Sequence, residues 1–445
     1  MESRYERMLA GHGGTAAVLA DAARRARTEA TGRGMAEPLA AVAAGAAAPM
    51  LVGFALWVAG RAEEHGLRRL HFVARDGEVM LDVAKPLLAR LAPDVRCHYL
   101  YGSRQAWTLA GSAWSPQVLA DWVSVKRDIT PRSALRRVGL TPDRVWTLTG
   151  APFSDPALAD RPLDAAGRDA LSRSVARDPL LSLVREAAGT AADSTLAYLR
   201  QEGFAGDAPA ALVDVGWTGQ TARAFDHLVR ALGGRPVRHL FCGVVAAAGA
   251  VRREPEPPQM TGWLFDDDLG RPASCPLTGP NVLVEMLCAG REGRLLRYER
   301  RPGGEVVPVP AEPVNQPVLD WGLDDVRRVI ARVAELAAPR LTARDVGVDL
   351  AAPVTEVLSA FWTRPTRAEA LAWGTFPWEE ETWPPYYPVA HRVSLGDVMT
   401  RLRRGDRRIR RHNSWRAGSA VVSPQPWRGL LTARAAYERR TARAR

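Results

Sequence analysis

The chain has 445 residues, 47% of them hydrophobic and 24% charged, a composition typical of globular proteins and a length sufficient for two or three domains. The formal net charge is +11, and among the 60 lysines and arginines only Lys85 and Lys126 are lysines. This excess of arginine over lysine has two equally good explanations. One is the codon usage of a GC-rich genome, and the other is an attraction to anions such as phosphates. The four cysteines include no CxxC pair, which argues against a zinc site and against a disulfide framework.

The amino-terminal region predicts helices rather than a secretion signal or a membrane span. The opening MESRYER is charged, so we expect a cytoplasmic protein. Residues 40–60 are uncharged and approach the length of a membrane span, but their first half is mostly alanine and glycine, and Pro49 lies within them. We therefore expect residues 1–65 to form an N-terminal helical segment that buries this stretch and ends near Gly66.

Short apolar runs alternate with helical periodicity after this segment, which predicts an α/β fold built on a parallel sheet. Each of the runs has the length of a strand, and three of them end in small or polar residues typical of loops. The expected strands are LHFVA (70–74), YLYGS (99–103), ALVDV (211–215) and HLFCGVV (239–245).

The same pattern predicts how the chain is divided. We expect the α/β core to span 66–250 and to contain a helical insertion at 105–205, which includes Trp114 and Trp122. The region 251–445 is expected to be mostly helical and to end in a basic tail. Its expected helices lie near 281–291, 323–337 and 353–375.

Three of the strands end in loops that suit a binding site: ARDG, YGSR and DVGWTGQT. Ligands of open parallel sheets bind at the carboxyl ends of the strands, so we expect these loops to meet. The glycines of DVGWTGQT and the helix that follows can direct amide hydrogens at an anion, and Thr218 and Thr221 can add hydroxyl donors. The loop lacks the lysine of a nucleotide triphosphatase loop and the three glycines of a dinucleotide fingerprint.

Asp214 lies directly before this loop. Its carboxylate can accept hydrogen bonds from two neighbouring hydroxyls, as on a ribose, or it can simply accept a loop amide. A phosphate site beside a site for a vicinal diol indicates a ribose 5-phosphate group.

These residues carry a resemblance to a known family. LVDVGWTGQTARAF resembles the phosphoribosyl-diphosphate loop of phosphoribosyltransferases, in which two adjacent acids usually stand where this chain has Val213 and Asp214. In order, LHFVARDGEVM, YLYGSR and VDVGWTGQT resemble a bacterial module of polysaccharide and secondary-metabolite pathways that is similar to glycan phosphoribosyltransferases. The resemblance covers about residues 35–300. That module often follows a haloacid-dehalogenase-type phosphatase domain, and because no DxDxT motif occurs here, a separate phosphatase partner protein is expected.

The resemblance implies a phosphoribosyltransferase-like core and a defined reaction. The protein would transfer the 5-phosphoribosyl group of phosphoribosyl diphosphate to a hydroxyl of a sugar-containing acceptor, with Mg²⁺ as cofactor and diphosphate as product. The implied catalytic residues are Asp76, Asp214 and Glu285, with Asp76 also an indirect magnesium ligand. Arg75 and the amides of the Asp76–Gly77 turn would hold the diphosphate, with Arg104 as a second clamp. The implied substrate-binding residues are Arg75, Gly77, Ser103, Arg104, Gly216, Trp217, Thr218, Gly219, Gln220 and Thr221.

Two of these residues have open alternatives. Glu285 lies on an apolar helix and is either the base for the acceptor hydroxyl or the partner of Arg291 or another arginine. Trp217 would pack over the ribose or close the loop against the helical insertion. His71, His98 and His227 are expected to be structural.

Other functions remain possible from the sequence. The ARDG turn could be a degenerate haloacid-dehalogenase loop with Asp76 as the nucleophile of a phosphatase. The missing acid at Val213 would instead suit a scaffold without activity. The basic tail at 401–418 could be solvated or could contact an anionic membrane surface at the inner face, and we expect no nucleic-acid partner.

Overall fold

A computed structural model describes most of the chain. The described residues are 2–112, 129–245, 248–266, 280–379, 386–394 and 414–430, with 268, 270, 396, 432 and 433. Trp114, Trp122 and most of the expected basic tail lie outside them.

A five-stranded, fully parallel sheet forms the centre of the fold and confirms the expected α/β class. Its order is β2-β1-β3-β4-β5. The four expected runs overlap its first four strands in chain order, although the second strand ends at Leu100, within the run expected at 99–103. The strands are β1 (Arg69–Val73), β2 (Arg96–Leu100), β3 (Ala210–Trp217), β4 (Arg238–Val244) and β5 (Gln259–Asp266).

Side-chain alternation places the two sides of the sheet in different cores. Phe72 and Val213 face a large core shared with helix 77–91 and the amino-terminal helices. Val73 and Leu212 face the opposite core, which includes Phe225 from the helix after β3. Since both faces are covered, the strands are almost continuously apolar, as the sequence pattern predicts.

The region after residue 250 contains more strands than expected. β5 joins the main sheet, and two small antiparallel pairs follow: β6 (Leu295–Arg300) with β7 (Val306–Pro310), and β8 (Pro377–Glu379) with β9 (Tyr386–Pro388). β5 contains Gly262 and pairs with β4 through a register shift, so its sequence lacks a regular strand pattern. The described part of this region still contains more helix than strand, so these five strands add to the expected helices.

The amino-terminal segment is helical, as expected. It comprises α1 (Arg4–Gly11), α2 (Gly14–Gly32), α3 (Glu37–Val42) and α4 (Ala48–Glu64), with a π-helical turn at Ala43–Ala47 joining α3 to α4. The continuous run Glu37–Glu64 is the one helix of the described chain that is apolar and long enough to cross a membrane, yet 94% of its most apolar window is buried inside the protein. This confirms that the uncharged stretch is a core helix.

Further helices cover the sheet and build the insertion and the carboxyl-terminal region, including those expected near 281–291, 323–337 and 353–375. They are α5 (Gly77–Leu91), α6 (Arg104–Gly111), α7 (Pro131–Arg137), α8 (Pro142–Thr149), α9 (Ala165–Val175), α10 (Leu180–Gln201), α11 (Gln220–Ala231), α12 (Gly249–Arg252), α13 (Pro280–Leu287), α14 (Gln316–Trp321), α15 (Leu323–Ala337), α16 (Ala351–Thr363), α17 (Arg367–Trp373) and α18 (Arg416–Val422).

Candidate active site

A cleft of about 810 Å³ lies at the carboxyl edge of the sheet. Here β1 and β3 are neighbours, but the chain goes from β1 to β2 on one side and from β3 to β4 on the other. Such a switch point is where open parallel sheets bind ligands. The loops after β1, β2 and β3 all line this cleft, so the structure brings together most of the expected site residues. These are Arg75, Asp76, Ser103, Arg104, Asp214, Gly216, Trp217, Thr218, Thr221 and Glu285.

The turn after β1 is fixed by close backbone packing. The peptide bond between Ala74 and Arg75 is cis, and α5 begins at Gly77. A Cβ at Gly77 would lie 2.7 Å from the carbonyl carbon of Phe72, so only glycine allows the helix to start this close to the strand. Gly77 is buried and does not line the cleft, so its position supports a structural role rather than the expected contact with diphosphate.

Arg75 already has an anionic partner within the protein. Its Nη1 lies 2.5 Å from Oε2 of Glu379, the last residue of β8, and the two side chains are 26% and 15% exposed. Gly290 packs closely on the base of Arg75: a Cβ at Gly290 would lie 2.7 Å from the Cβ of Arg75. Arg75 is therefore contacted by two distant parts of the chain, Gly290 at its backbone end and Glu379 at its guanidinium.

Three carboxyl groups from separate parts of the chain repel one another in the cleft. Burial, reinforced by the charges of Glu285 and Asp214, raises the pKa of Asp76 well above its usual range, while Arg75 opposes this shift. Burial also raises the pKa of Asp214 to about 7, against the opposing effects of the Val215 amide and Arg104. Near neutral pH the cluster therefore retains protons that exposed carboxyls would lose.

Asp214 has one of its expected contacts, a hydrogen bond from a loop amide. Its Oδ1 accepts a hydrogen bond of 2.7 Å from the amide of Val215, so the carboxylate does bind a loop amide. The side chain also lines the cleft and is partly exposed to it, which leaves it accessible to a ligand.

The loop after β3 has an unusual backbone. Gly216, Trp217 and Gly219 have positive φ angles of 101°, 96° and 74°. A Cβ at Gly216 would lie 2.5 Å from the carbonyl oxygen of Gly243, so glycine is required there. A bulky residue rarely has a positive φ, and Trp217 is the one non-glycine residue with this geometry in the described chain.

Two residues of this loop lie away from the cleft. Gly219 is buried, and a Cβ there would lie 2.4 Å from the sulfur of Met260, while Gln220 is exposed at the start of α11. Neither lines the cleft, so the expected phosphate contacts narrow to Trp217, Thr218 and Thr221. No side chain caps the amino end of α11, which leaves its first amides without this kind of partner.

Trp217 contacts protein groups from outside the helical insertion. Its ring stacks on Phe265 of β5 with centroids 5.4 Å apart, and its Nε1 donates a 2.7 Å hydrogen bond to Oε1 of Glu285. The side chain is 6% exposed. This packing favours a role for the indole in positioning Glu285, and its expected packing over the ribose stays a prediction.

The alternative salt bridge between Glu285 and Arg291 is also corrected. Arg291 lies 2.9 Å from Glu78 and 2.7 Å from Asp324, so its charge is matched elsewhere. Glu285 lines the cleft and bonds to Trp217. A role for Glu285 in the cleft thus remains open.

The loop after β2 contributes a hydroxyl and a cation. Ser103 caps α6, with its Oγ accepting a hydrogen bond of 3.0 Å from the amide of Ala106. Its hydroxyl proton stays available, since the oxygen is the acceptor in that bond. Arg104 is exposed and close enough to Asp214 to oppose the rise in the pKa of that carboxyl.

Several cleft residues were missed by the sequence reasoning because they come from the carboxyl-terminal region. Glu292 accepts a 3.0 Å hydrogen bond from the hydroxyl of Tyr101. Glu379 carries no local motif, and Arg294 lies directly before a short strand that the sequence did not reveal. The missed lining residues include Asn281, Glu292, Arg294, Trp378 and Glu379.

The donor chemistry of the cleft suits a hard cation, although a complete protein cage is absent. The described residues contain no group of three or more His, Cys, Asp or Glu side chains placed to hold a metal ion. Magnesium usually takes only one or two carboxylates together with water and substrate phosphates. Asp76 and Asp214, whose mutual repulsion raises the pKa of Asp76, are the carboxyls that fit such an ion.

The histidines match their expected structural roles. His71 is buried in β1, and its ring lies 5.2 Å from that of His98 and 4.5 Å from that of Phe204, measured between centroids. Burial lowers the pKa of His71 to about 3. His227 lies on α11. None of the residues His71, His98 and His227 lines the cleft.

Comparison of the chain with protein-family models and with curated proteins gives no match. The functional argument therefore rests on the residues and geometry of the cleft.

Proposed function

We propose that the protein is a phosphoribosyltransferase that moves a 5-phosphoribosyl group from phosphoribosyl diphosphate to a hydroxyl of a sugar-containing acceptor. One observation carries the proposal: Asp214, the loop that follows it, Arg75 and Arg104 meet in one cleft at the switch point of the sheet. The core would then be phosphoribosyltransferase-like. The donor phosphate, the ribose hydroxyls and the leaving diphosphate each find a suitable group there.

The donor would lie along the carboxyl ends of β1 and β3. Thr218 and Thr221 offer hydroxyl donors to the 5-phosphate, with the uncapped amino end of α11 nearby. Asp214 accepts from the ribose hydroxyls when it is ionised. Arg75 and Arg104 are placed to bind the diphosphate, for which guanidinium groups are well suited.

The carboxyl groups suit the charge that develops during the reaction. Breaking the bond between C1 and the diphosphate oxygen gives the ribose ring oxocarbenium character, as in glycoside hydrolysis. Glu285, and Asp214 when it is ionised, place negative charge beside the cleft that can stabilise this cation. The diphosphate leaves with the electrons of the broken bond.

Glu285 is the group proposed to accept the proton of the acceptor hydroxyl. As this proton moves to the carboxylate, the hydroxyl oxygen bonds to C1 of the ribose. The hydrogen bond from Trp217 holds one oxygen of Glu285 and so orients the other. Magnesium, held through Asp76 and Asp214, would neutralise phosphate charge when the donor binds.

The phosphatase alternative is weaker because the acid two residues after Asp76 is paired elsewhere. Glu78 pairs with Arg291 and Arg327 and does not line the cleft, so Asp76 lacks the second acid that a haloacid-dehalogenase-type loop carries. The proposed transferase acts in the cytoplasm, in contact with the inner face of the membrane through its basic tail. A separate phosphatase would remove the transferred phosphate.

The proposal is tested by incubating the protein with phosphoribosyl diphosphate, Mg²⁺ and a panel of sugar acceptors. Diphosphate release and a new phosphopentosyl product, both followed by mass spectrometry, are expected. Inorganic phosphate as the product would favour the phosphatase. No donor consumption with any acceptor, together with no donor binding, would leave only the scaffold.

A further inference from the structure

A carboxylate from the carboxyl-terminal region lies between two arginines of the cleft. Oε2 of Glu379 is 2.5 Å from Nη1 of Arg75, and Oε1 of the same group is 3.9 Å from Nη2 of Arg294. The three side chains are 15%, 26% and 22% exposed, in the order Glu379, Arg75 and Arg294. One carboxylate thus bridges two guanidinium groups in a partly desolvated site.

Both arginines are mounted on fixed backbone. Gly290 packs directly on Arg75, as described above. The carbonyl oxygen of Arg294 accepts a 2.8 Å hydrogen bond from the amide of Ala311, just after β7. A Cβ at the neighbouring Gly293 would lie 2.0 Å from the carbonyl oxygen of Glu312, so this segment is tightly packed as well. The backbone positions of both arginines are therefore fixed before a ligand binds.

The ion pair between Glu379 and Arg75 matches their charges, but its hydrogen-bond geometry is poor. Nη1 of Arg75 and Oε2 of Glu379 are buried, and neither has a well-aligned hydrogen-bond partner among the described residues. A buried polar atom without a well-aligned partner costs free energy. An anion with more oxygens, spread over more directions than those of one carboxylate, can accept better-aligned hydrogen bonds from Arg75.

We infer that Arg75 and Arg294 form a diphosphate subsite that the Glu379 carboxylate occupies until substrate displaces it. The inference rests on the proposed function for the choice of diphosphate, and it adds Arg294 as a binding residue and Glu379 as an internal competitor. The subsite accepts the two terminal phosphates of the donor and then the released product.

This arrangement has a direct consequence for affinity. Diphosphate carries more negative charge than a carboxylate, so two arginines attract it more strongly. Its binding must, however, break the ion pair between Arg75 and Glu379, and it leaves the Glu379 carboxylate close to a second anion. Glu379 therefore weakens the binding of diphosphate and speeds the release of this product. Removal of its charge should strengthen binding.

The test measures the binding of sodium diphosphate by isothermal titration calorimetry, with and without Mg²⁺. We expect Glu379→Gln and Glu379→Ala to bind diphosphate about tenfold more tightly than the wild type, and Arg294→Gln to bind it at least tenfold more weakly. Glu186→Gln is the matched control, because Glu186 also pairs with an arginine, Arg144, but is exposed and lies outside the cleft lining, so it should leave the affinity unchanged. Thermal unfolding of each variant establishes that it is folded.

The outcomes separate this inference from the proposed function. Unchanged or weaker binding by both folded Glu379 variants overturns the inference, even if the wild type transfers phosphoribosyl groups. A wild type and variants that all fail to bind diphosphate overturn it too. Tighter binding by the Glu379 variants in a protein that never consumes phosphoribosyl diphosphate supports the anion subsite and rejects the phosphoribosyl transfer.

Discussion

Nε1 of Trp217 donates a hydrogen bond of 2.7 Å to Oε1 of Glu285, and this contact joins the loop after β3 to α13. The indole is stacked on Phe265 at the same time, so the bond is directed by a fixed ring. A tryptophan with a φ of 96° is strained, and this double anchoring explains how that backbone is maintained.

The first prediction concerns this hydrogen bond. Trp217→Phe keeps an aromatic ring but removes the donor, so Glu285 loses its orientation. A hydrogen bond to a charged group contributes about 1.5–3 kcal/mol, and we expect kcat to fall about tenfold or more while donor binding changes little. Steady-state kinetics and donor titration would measure the two effects.

The control for this variant is Trp415→Phe. Trp415 is also buried, and its Nε1 donates a 2.7 Å hydrogen bond to the carbonyl of Trp362, outside the cleft. Its replacement should lower stability without a specific loss of kcat. Equal kcat values in folded Trp217→Phe and wild-type protein would contradict the assigned role of Trp217.

The second prediction concerns the ionisation of Asp214. Its pKa of about 7 means that the ligand-free cleft holds a proton there below neutral pH, so kcat/KM for the donor should rise with pH through about 7. Because Asp214 interacts with Glu285 and Asp76, the midpoint belongs to the group of carboxyls. Asp214→Asn should remove this rise and weaken the affinity for the donor by about 10- to 100-fold, where each tenfold change corresponds to about 1.4 kcal/mol. Kinetics from pH 5.5 to 8.5 would test it, and an identical profile in the variant would reject the assignment.

The third prediction follows from the same pKa and concerns stability. Between the ordinary pKa of 3.8 and the folded value of about 7, the folded protein keeps a proton that the unfolded chain loses. The contribution of Asp214 to the free energy of unfolding therefore falls as pH rises through this window, by about 1.4 kcal/mol per pH unit at most. Asp214→Asn should be more stable than the wild type at pH 8, with little difference at pH 4. Thermal unfolding at both pH values measures this, and a variant that is less stable at pH 8 would contradict it.

The fourth prediction concerns Arg75 and the leaving group. Arg75→Lys keeps the charge but loses the planar fork that can bind two phosphate oxygens. Negative charge on the diphosphate increases in the transition state, so we expect turnover to fall more than donor affinity. Diphosphate release in single-turnover experiments would report the first effect and calorimetry the second. Unchanged release by a variant that still binds donor would exclude Arg75 from this role.

The fifth prediction concerns the packing of Gly290 against Arg75. In Gly290→Ala the new Cβ would lie 2.7 Å from the Cβ of Arg75 and 2.9 Å from its carbonyl oxygen, so the turn after β1 must shift. We expect at least a tenfold loss of kcat/KM, because small misplacements of binding groups are costly. Gly189→Ala is the control: Gly189 lies within α10 with no atom close to an added Cβ, and alanine should raise stability by up to about 1 kcal/mol. Full activity in Gly290→Ala would show that the position of Arg75 is not critical.

The sequence by itself determined the sheet and the meeting of its loops. Strand periodicity and helix periodicity are local properties, and four short apolar runs between helical segments were enough to predict parallel strands. Parallel strands present their carboxyl ends at one edge, so Arg75, Ser103 and Asp214 could be expected in one site before any coordinates were known. The burial of the uncharged helix was equally visible, from its alanine and glycine content.

Only the tertiary structure decided which charges and rings meet. Arg75 pairs with Glu379, which lies some 300 residues later in the chain, and Arg291 pairs with Glu78 rather than Glu285. Such contacts depend on how separate elements pack, and no local pattern records them. The same holds for β5, because Gly262 interrupts its pattern and its place in the sheet comes from pairing with β4. The charge balance of the cleft is therefore a property of the folded chain, since burial and distance, not residue type alone, set the energy of each carboxylate.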